Sequence, residues 1–255
     1  MELGLKGKTA IVTGASRGIG KAIVEALASE GVNVILNYRS NTALAKEVAL
    51  RCNEKFTGRV RVIKGDVGDL SFVDELFAFA RNEFGKVDIV INNAGTWTES
   101  MVCDMTIEEF EYVMRVNMEA PFLLSRHLVN HLQEGGRSGS ILNVVSRAGI
   151  MGSTRNHAHY AASKGALIAF TKSLAREVAG SGITVNAIAP GIVKTDMMMN
   201  SIKTKEEEEK HDQSIPIGRM ARPEEIADAA VFLVSERARY YTGMTFDASG
   251  GILMK

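Results

Sequence analysis

What constrains this chain most is an alternation. Short β-branched runs recur along it: "TAIVTG" (9–14), "VNVILNY" (32–38), "RVRVIKGD" (59–66), "VDIVINN" (87–93), "SILNVVS" (140–146) and "ITVNAIAP" (183–190). Stretches of helical period lie at 19–30, 41–56, 70–84, 106–134 and 158–180, with further helical segments and a strand near 243–247 after them. Runs that are apolar on both faces and joined through helices predict a mostly parallel sheet covered on both sides. No long linker, low-complexity segment or internal repeat interrupts the pattern, so 1–255 reads as one doubly wound α/β domain.

Charge and cysteine usage exclude several function classes. Lysine plus arginine equals aspartate plus glutamate at 30 each, which argues against a nucleic-acid or membrane surface spread over the whole protein. Cys52 and Cys103 match no metal spacing and are too few for a disulfide framework, so two reduced thiols are expected. The first run begins too early for a signal peptide, and no apolar run approaches the ~20 residues of a membrane span, so the expected location is cytoplasmic. His127 and His131 stand at i and i+4 but lack a third ligand, and no metal is expected. The acidic run "KEEEEK" (205–210) reads as exposed helix surface.

"TGASRGIG" (13–20) joins the first run to the first helix. Gly14, Gly18 and Gly20 permit a tight turn, close backbone approach and helix–strand packing. The helix N-terminus beside Ser16, Arg17 and Ile19 is then free to hold a phosphate. The spacing is G-x3-G-x-G, which differs from the usual dinucleotide fingerprint, but its position at the first strand–helix turn favours that use. The second run ends in "NYRSN" (37–41), where a dinucleotide site needs an acid for a ribose 2′-hydroxyl or a cation for a 2′-phosphate. Tyr38, Arg39 and Ser40 stand there with no acid, and Arg17 adds a second guanidinium, so NADP(H) is expected over NAD(H).

"YAASK" (160–164) places Tyr160 and Lys164 one helical turn apart on one face. Taken together, "TGASRGIG", "NNAG" (92–95) and "YAASK" resemble the short-chain dehydrogenase/reductase family over essentially the whole chain. "VRVIKGDV" (60–67), "VNMEAPF" (116–122), "APGIVKTDM" (189–197) and "IPIGRMARPEEIADAAVFLVS" (215–235) look most like its 3-oxoacyl-[acyl-carrier-protein] reductase branch. The resemblance implies a Rossmann-type fold with a seven-stranded sheet, a substrate lid at about 194–215 that includes the methionines 197–199, and a homotetramer. It places Asp66 and Val67 beside the adenine and Asn93, Ala94 and Gly95 along the cofactor. Pro190, Gly191, Ile192, Val193 and Thr195 would lie toward the nicotinamide end, and Asn117, Ser146, Tyr160 and Lys164 match the catalytic tetrad.

In chemical terms, reduction of a ketone leaves charge on oxygen, so a donor and a proton source are needed there. Tyr160 is the expected proton source, a Lys164 ammonium ~4 Å away is expected to bring its phenol from ~10 close to 7, and the same lysine can also hold the nicotinamide ribose. Ser146 can polarise the carbonyl. Asn117, a poor helix former, is expected to break its helix and expose a carbonyl for a proton-relay water.

Departures bear on substrate rather than chemistry. The loop "IMGSTRNHAH" (150–159) is one residue longer than in typical carrier-protein reductases, so Arg155 and His157 are expected to reshape the pocket entrance, and Trp97 is atypical. Arg137 matches one position that the branch uses to dock acyl carrier protein, while the second falls on Ser181. Three readings remain: an NADPH-dependent 3-oxoacyl thioester reductase, a reductase of a free ketone, sugar or sterol, and a non-catalytic dinucleotide sensor.

Overall fold

The computed structural model describes residues 2–254, apart from the side chains of Met197 and Ser201. One of the lid methionines, Met197, therefore has its side chain outside the described residues.

Seven strands form a single sheet: β1 (Thr9–Val12), β2 (Asn33–Tyr38), β3 (Val60–Lys64), β4 (Ile89–Asn92), β5 (Gly139–Val144), β6 (Ile183–Pro190) and β7 (Thr245–Ala248). Their order is β3-β2-β1-β4-β5-β6-β7 and every neighbouring pair is parallel. The sheet is thus wholly parallel, where the sequence predicts only a mostly parallel one. The period of two along each strand sorts side chains to the two faces. Ala10, Val12, Val34, Leu36, Ile89 and Ile91 enter one core with helices α1 (Gly18–Ser29) and α2 (Thr42–Lys55). Ile11, Ile35, Val90, Ile141 and Val185 enter a second core with α3 (Leu70–Phe84).

The stretch expected as one helix at 106–134 is α4 (Ile107–Met114), a π-helical turn (Arg115–Glu119) and α5 (Ala120–Glu134) without a gap. Thr106 caps its start by accepting a hydrogen bond from the Glu109 N–H. The turn has a sequence cause. An α-helical bond to the Asn117 carbonyl requires the N–H of residue 121, and Pro121 has none. A short helix α6 (Ala148–Met151) follows β5, and then comes the long α7 (Ala158–Val178). Between β6 and β7 lie α8 (Asp196–Ser201), α9 (Lys205–Gln213) and α10 (Pro223–Leu233), the last packed on α1. Among the described residues no helix is long and apolar enough to cross a membrane.

The order reverses between β1 and β4. Chain leaving the carboxyl ends of these strands turns to opposite sides and opens a crevice there. The glycine loop follows β1 and "NNAG" spans the end of β4, so the topology itself brings both to one place.

Candidate active site

Each loop glycine has a steric reason. Gly14 has φ +63°, and a Cβ there would meet Ala94 Cα at 2.8 Å. Gly18, at φ +56°, lies against Thr195, where a Cβ would be 3.2 Å from Cγ2. A Cβ on Gly20 would lie 2.5 Å from Asn93 Nδ2 and 2.7 Å from the Gly14 carbonyl. The loop is braced from beneath: Asn93 Nδ2 donates to the carbonyls of Thr13 and Gly14 (2.8 and 3.1 Å), and the Thr13 hydroxyl accepts from the N–H groups of Asn93 and Ala94. Asn93 therefore acts on the loop with its side chain. Arg17 is exposed at the start of α1, flanked by half-buried Ser16 and Ile19.

At the end of β2, Tyr38 turns inward and its hydroxyl meets Thr42 Oγ1 at 3.3 Å, so its ring belongs to the core. Arg39 and Ser40 stay exposed. Arg39 Nη1 donates to the Tyr112 hydroxyl (2.6 Å), which donates in turn to Asp66 Oδ2 (2.9 Å). Arg39 and Asp66 also form a longer ion pair at 3.7 Å. The other oxygen of Asp66 accepts from the Gly68 N–H, and Val67 is buried beside it. Sequence reasoning missed Tyr112, which lies 46 residues from Asp66 and 73 from Arg39 and has no motif to mark it.

The four candidate catalytic residues converge. Ser146 follows β5, and its hydroxyl accepts from the Ala148 N–H. Tyr160 and Lys164 lie in the first turns of α7, with Lys164 Nζ 5.9 Å from the centre of the Tyr160 ring. Lys164 is buried, and its ammonium donates to the Val144 carbonyl at 2.9 Å. Asn117 is fully buried in the π-turn. Its amide donates to the Thr96 carbonyl and to Ser163 Oγ, and its oxygen accepts from the Thr96 N–H, each at 2.9 Å. The Asn117 side chain thus ties the loop after β4 to the residue preceding Lys164. A Cβ on Gly95 would sit 3.4 Å from Lys164 Nζ and 3.5 Å from Asn117 Oδ1, which places Gly95 against both.

The electrostatics correct one expectation. Burial pushes the Tyr160 phenol up, not toward 7, and only a hydrogen bond with the Ser146 hydroxyl opposes this. Lys164 does not supply the expected downward pull because burial acts on it too, lowering its own ammonium to about 8. A tyrosine held in its protonated form is suited to donating a proton.

Above this centre the indole of Trp97 meets the Tyr160 ring edge-on (5.8 Å) and stacks on His157 (4.7 Å between centres). His159 Nε2 bonds the Thr98 hydroxyl, and burial lowers the His159 imidazole below its ordinary value. Pro190 ends β6, and the loop after it runs through Gly191, Ile192, Val193 and Thr195. It is fixed by the Gly191 N–H to the Ala248 carbonyl and by bonds linking Ile192 and Lys194 with Ala221. Lys194 pairs with Glu208 of α9 at 2.7 Å, so one acid of the "KEEEEK" run ties that helix to this loop. Arg137 lies at the opposite edge of the sheet, before β5, where it pairs with the buried Asp88 (3.4 Å) and contacts His131 Nε2.

A family model described as Enoyl-(Acyl carrier protein) reductase matches residues 14–253. The 3-oxoacyl-[acyl-carrier-protein] reductase FabG of Vibrio cholerae is 39% identical over 252 residues, spanning 99% of this chain and all of that one. The chain belongs to the short-chain dehydrogenase/reductase family. Glucose 1-dehydrogenase 2 of Bacillus subtilis is 38% identical over 98% of this chain and 96% of its own. The L-sorbose reductase of Gluconobacter frateurii, solved with NADPH and L-sorbose, superposes with a TM-score of 0.93 at 33% identity over the full length of both chains. The protein is accordingly an NAD(P)-dependent oxidoreductase acting on CH–OH and C=O groups. The residues present fit that cofactor: the tightly packed glycine loop leads into the N-terminus of α1, where the N-cap residue Arg17 makes no side-chain hydrogen bond to the helix, leaving the helix end for a phosphate.

Proposed function

We propose that the protein reduces a keto group with NADPH, and that its substrate is the 3-keto group of an acyl thioester. The convergence of Ser146, Tyr160 and Lys164 at the carboxyl edge of the sheet carries this reading. The cofactor, when bound, supplies the reducing equivalent. The Ser146 hydroxyl donates to the carbonyl oxygen and Tyr160 delivers its proton there as charge develops. Lys164 would hold the nicotinamide ribose when the cofactor is bound, and Asn117 holds the Thr96 loop and α7 in register. Arg17 and Arg39, with no acid at the end of β2, support the 2′-phosphate and hence NADPH. Half-buried Met198 and Met199 of α8, with exposed Ile150 and Met151 on α6, offer an apolar entrance suited to an acyl chain, and residues 194–215 serve as its lid.

A second reading, a free ketone or ketose, is favoured by the Trp97–His157 wall. It also gains from Arg137, whose pairing with Asp88 withdraws it from docking an acidic carrier protein.

The deciding experiment measures NADPH oxidation with acetoacetyl thioesters of coenzyme A and acyl carrier protein, simple ketones and ketoses. Thioesters should be turned over at least tenfold better by kcat/KM; comparable or better use of ketoses would establish the second reading. In the same assay Tyr160→Phe should lose at least ~100-fold in kcat while still binding NADPH. Substantial turnover by that variant would remove Tyr160 from the role given to it.

A further inference from the structure

Tyr112 was assigned nothing by motif, yet its hydroxyl stands between the two charged groups at the adenosine end. It accepts from Arg39 Nη1 at 2.6 Å and donates to Asp66 Oδ2 at 2.9 Å, while the direct Arg39–Asp66 separation is 3.7 Å. The ring is seated rather than draped. A Cβ on Gly68 would come within 2.9 Å of Tyr112 Cε2, so the glycine makes room for it, and Asp66 Oδ1 is fixed by the Gly68 N–H. Burial, and then the Asp66 contact, push the phenol up, which keeps the hydroxyl a donor to the carboxylate.

We propose that Tyr112 is the positioning residue of the 2′-phosphate subsite, acting as a spacer that holds Arg39 beside Asp66 without letting the two close into a bidentate pair. The proposal rests on the NADPH reading. A guanidinium has five N–H donors in a planar fork, and a carboxylate can take two of them at once. With the hydroxyl interposed, one Nη1 hydrogen is engaged and the remaining donors of Arg39 are left for a ligand. Without it, the shortest route for Arg39 is onto Asp66 Oδ2, which is already within ion-pair range. That collapse would withdraw the cation from the phosphate. The tether also removes rotamer freedom that a long exposed side chain would otherwise lose on binding.

The test is calorimetric titration of NADPH and NADH into wild type, Tyr112→Phe, Arg39→Ala and the double variant. Phenylalanine retains the ring packed on Gly68 and removes only the hydroxyl, so the fold is kept. In Tyr112→Phe the NADPH Kd should rise about tenfold and the NADH Kd by less than about threefold, which lowers the preference ratio. In the Arg39→Ala background the same change should leave that ratio where it was. A preference unchanged in Tyr112→Phe, in a wild type that does prefer NADPH, would overturn the spacer role alone. So would a further loss of preference in the double variant, because the hydroxyl would then act by a route other than Arg39. A wild type that binds both cofactors equally would overturn the NADPH reading and the spacer with it.

Discussion

Lys164 is the residue whose chemistry departs most from its spacing. Its ammonium is buried with one carbonyl partner, Val144, and burial lowers it to about 8 from an ordinary 10.5. The folded protein therefore disfavours the charged form. That penalty is complete below about pH 8 and disappears as pH rises past the unfolded value of 10.5. The full difference corresponds to about 3 kcal/mol. Lys164→Met should lose turnover, and in the cofactor-free protein its stability relative to wild type should be greatest at pH 7. This relative gain should shrink by on the order of 2 kcal/mol between pH 7 and pH 10, as read by denaturant unfolding. A difference that stays constant with pH would show that the ammonium is not strained in the fold. The spacing of Tyr160 and Lys164 was legible in five letters, because i and i+4 share a helix face. The direction of the Tyr160 shift was not, because desolvation is a property of everything packed around the ring. For the same reason Asn117 was legible as a candidate while its hydrogen-bond partners Thr96 and Ser163 were not.

At the scale of elements, the glycine loop shows how much of a site a short motif can encode. Gly20→Ala would place a methyl group against the Gly14 carbonyl and Ala15 Cα at 2.7 and 2.8 Å, atoms of the backbone that cannot step aside. The expected cost is about 1–3 kcal/mol of stability, with more than tenfold weaker NADPH binding as the cradle is displaced. Gly180→Ala is the control, since a Cβ there meets nothing within 4 Å, and it should be neutral or slightly stabilising. Equal thermal and binding behaviour of the two variants would show that the cradle tolerates a side chain. The strands and the long helices before residue 180 were legible because their apolar periods are strong, whereas the four-residue α6 (Ala148–Met151) is too short to show a period and was not. The π-turn was legible only in part. The sequence places a break near Asn117 through that residue's poor propensity, whereas Pro121 four positions on is its physical cause. The turn matters because Tyr112 precedes it and Asn117 lies within it, so one continuous helical stretch reaches Arg39 and Asp66 with one side chain and Thr96 and Ser163 with another.

At the scale of the whole molecule, the apolar surface left over by the monomer points to assembly. The segments "FLL" (122–124) of α5 and "LIAF" (167–170) of α7 concentrate apolar residues on these two helices. In the fold Leu124, Leu167 and Ile168 are buried within the chain, whereas Phe122 stays exposed and meets half-buried Phe170 edge-to-face at 5.8 Å. This outer face of α5 and α7 is one candidate contact. The other surrounds β7, the last strand of the sheet, whose outer edge has no neighbouring strand among the described residues and near which Tyr240, Tyr241 and Met244 are exposed. An open edge beside exposed aromatic side chains is a surface that proteins ordinarily cover. Two different self-complementary patches, each closing on a two-fold axis, generate a tetramer of 222 symmetry rather than a chain of copies. Light scattering at micromolar concentration should therefore give four times the mass of one chain. Phe122→Asp should reduce it to a dimer held through the β7 side, because a carboxylate at the centre of the α5–α7 contact would be buried without a partner. A monomeric wild type would remove both contacts, and a tetramer undisturbed by Phe122→Asp would move the first contact off the α5–α7 face.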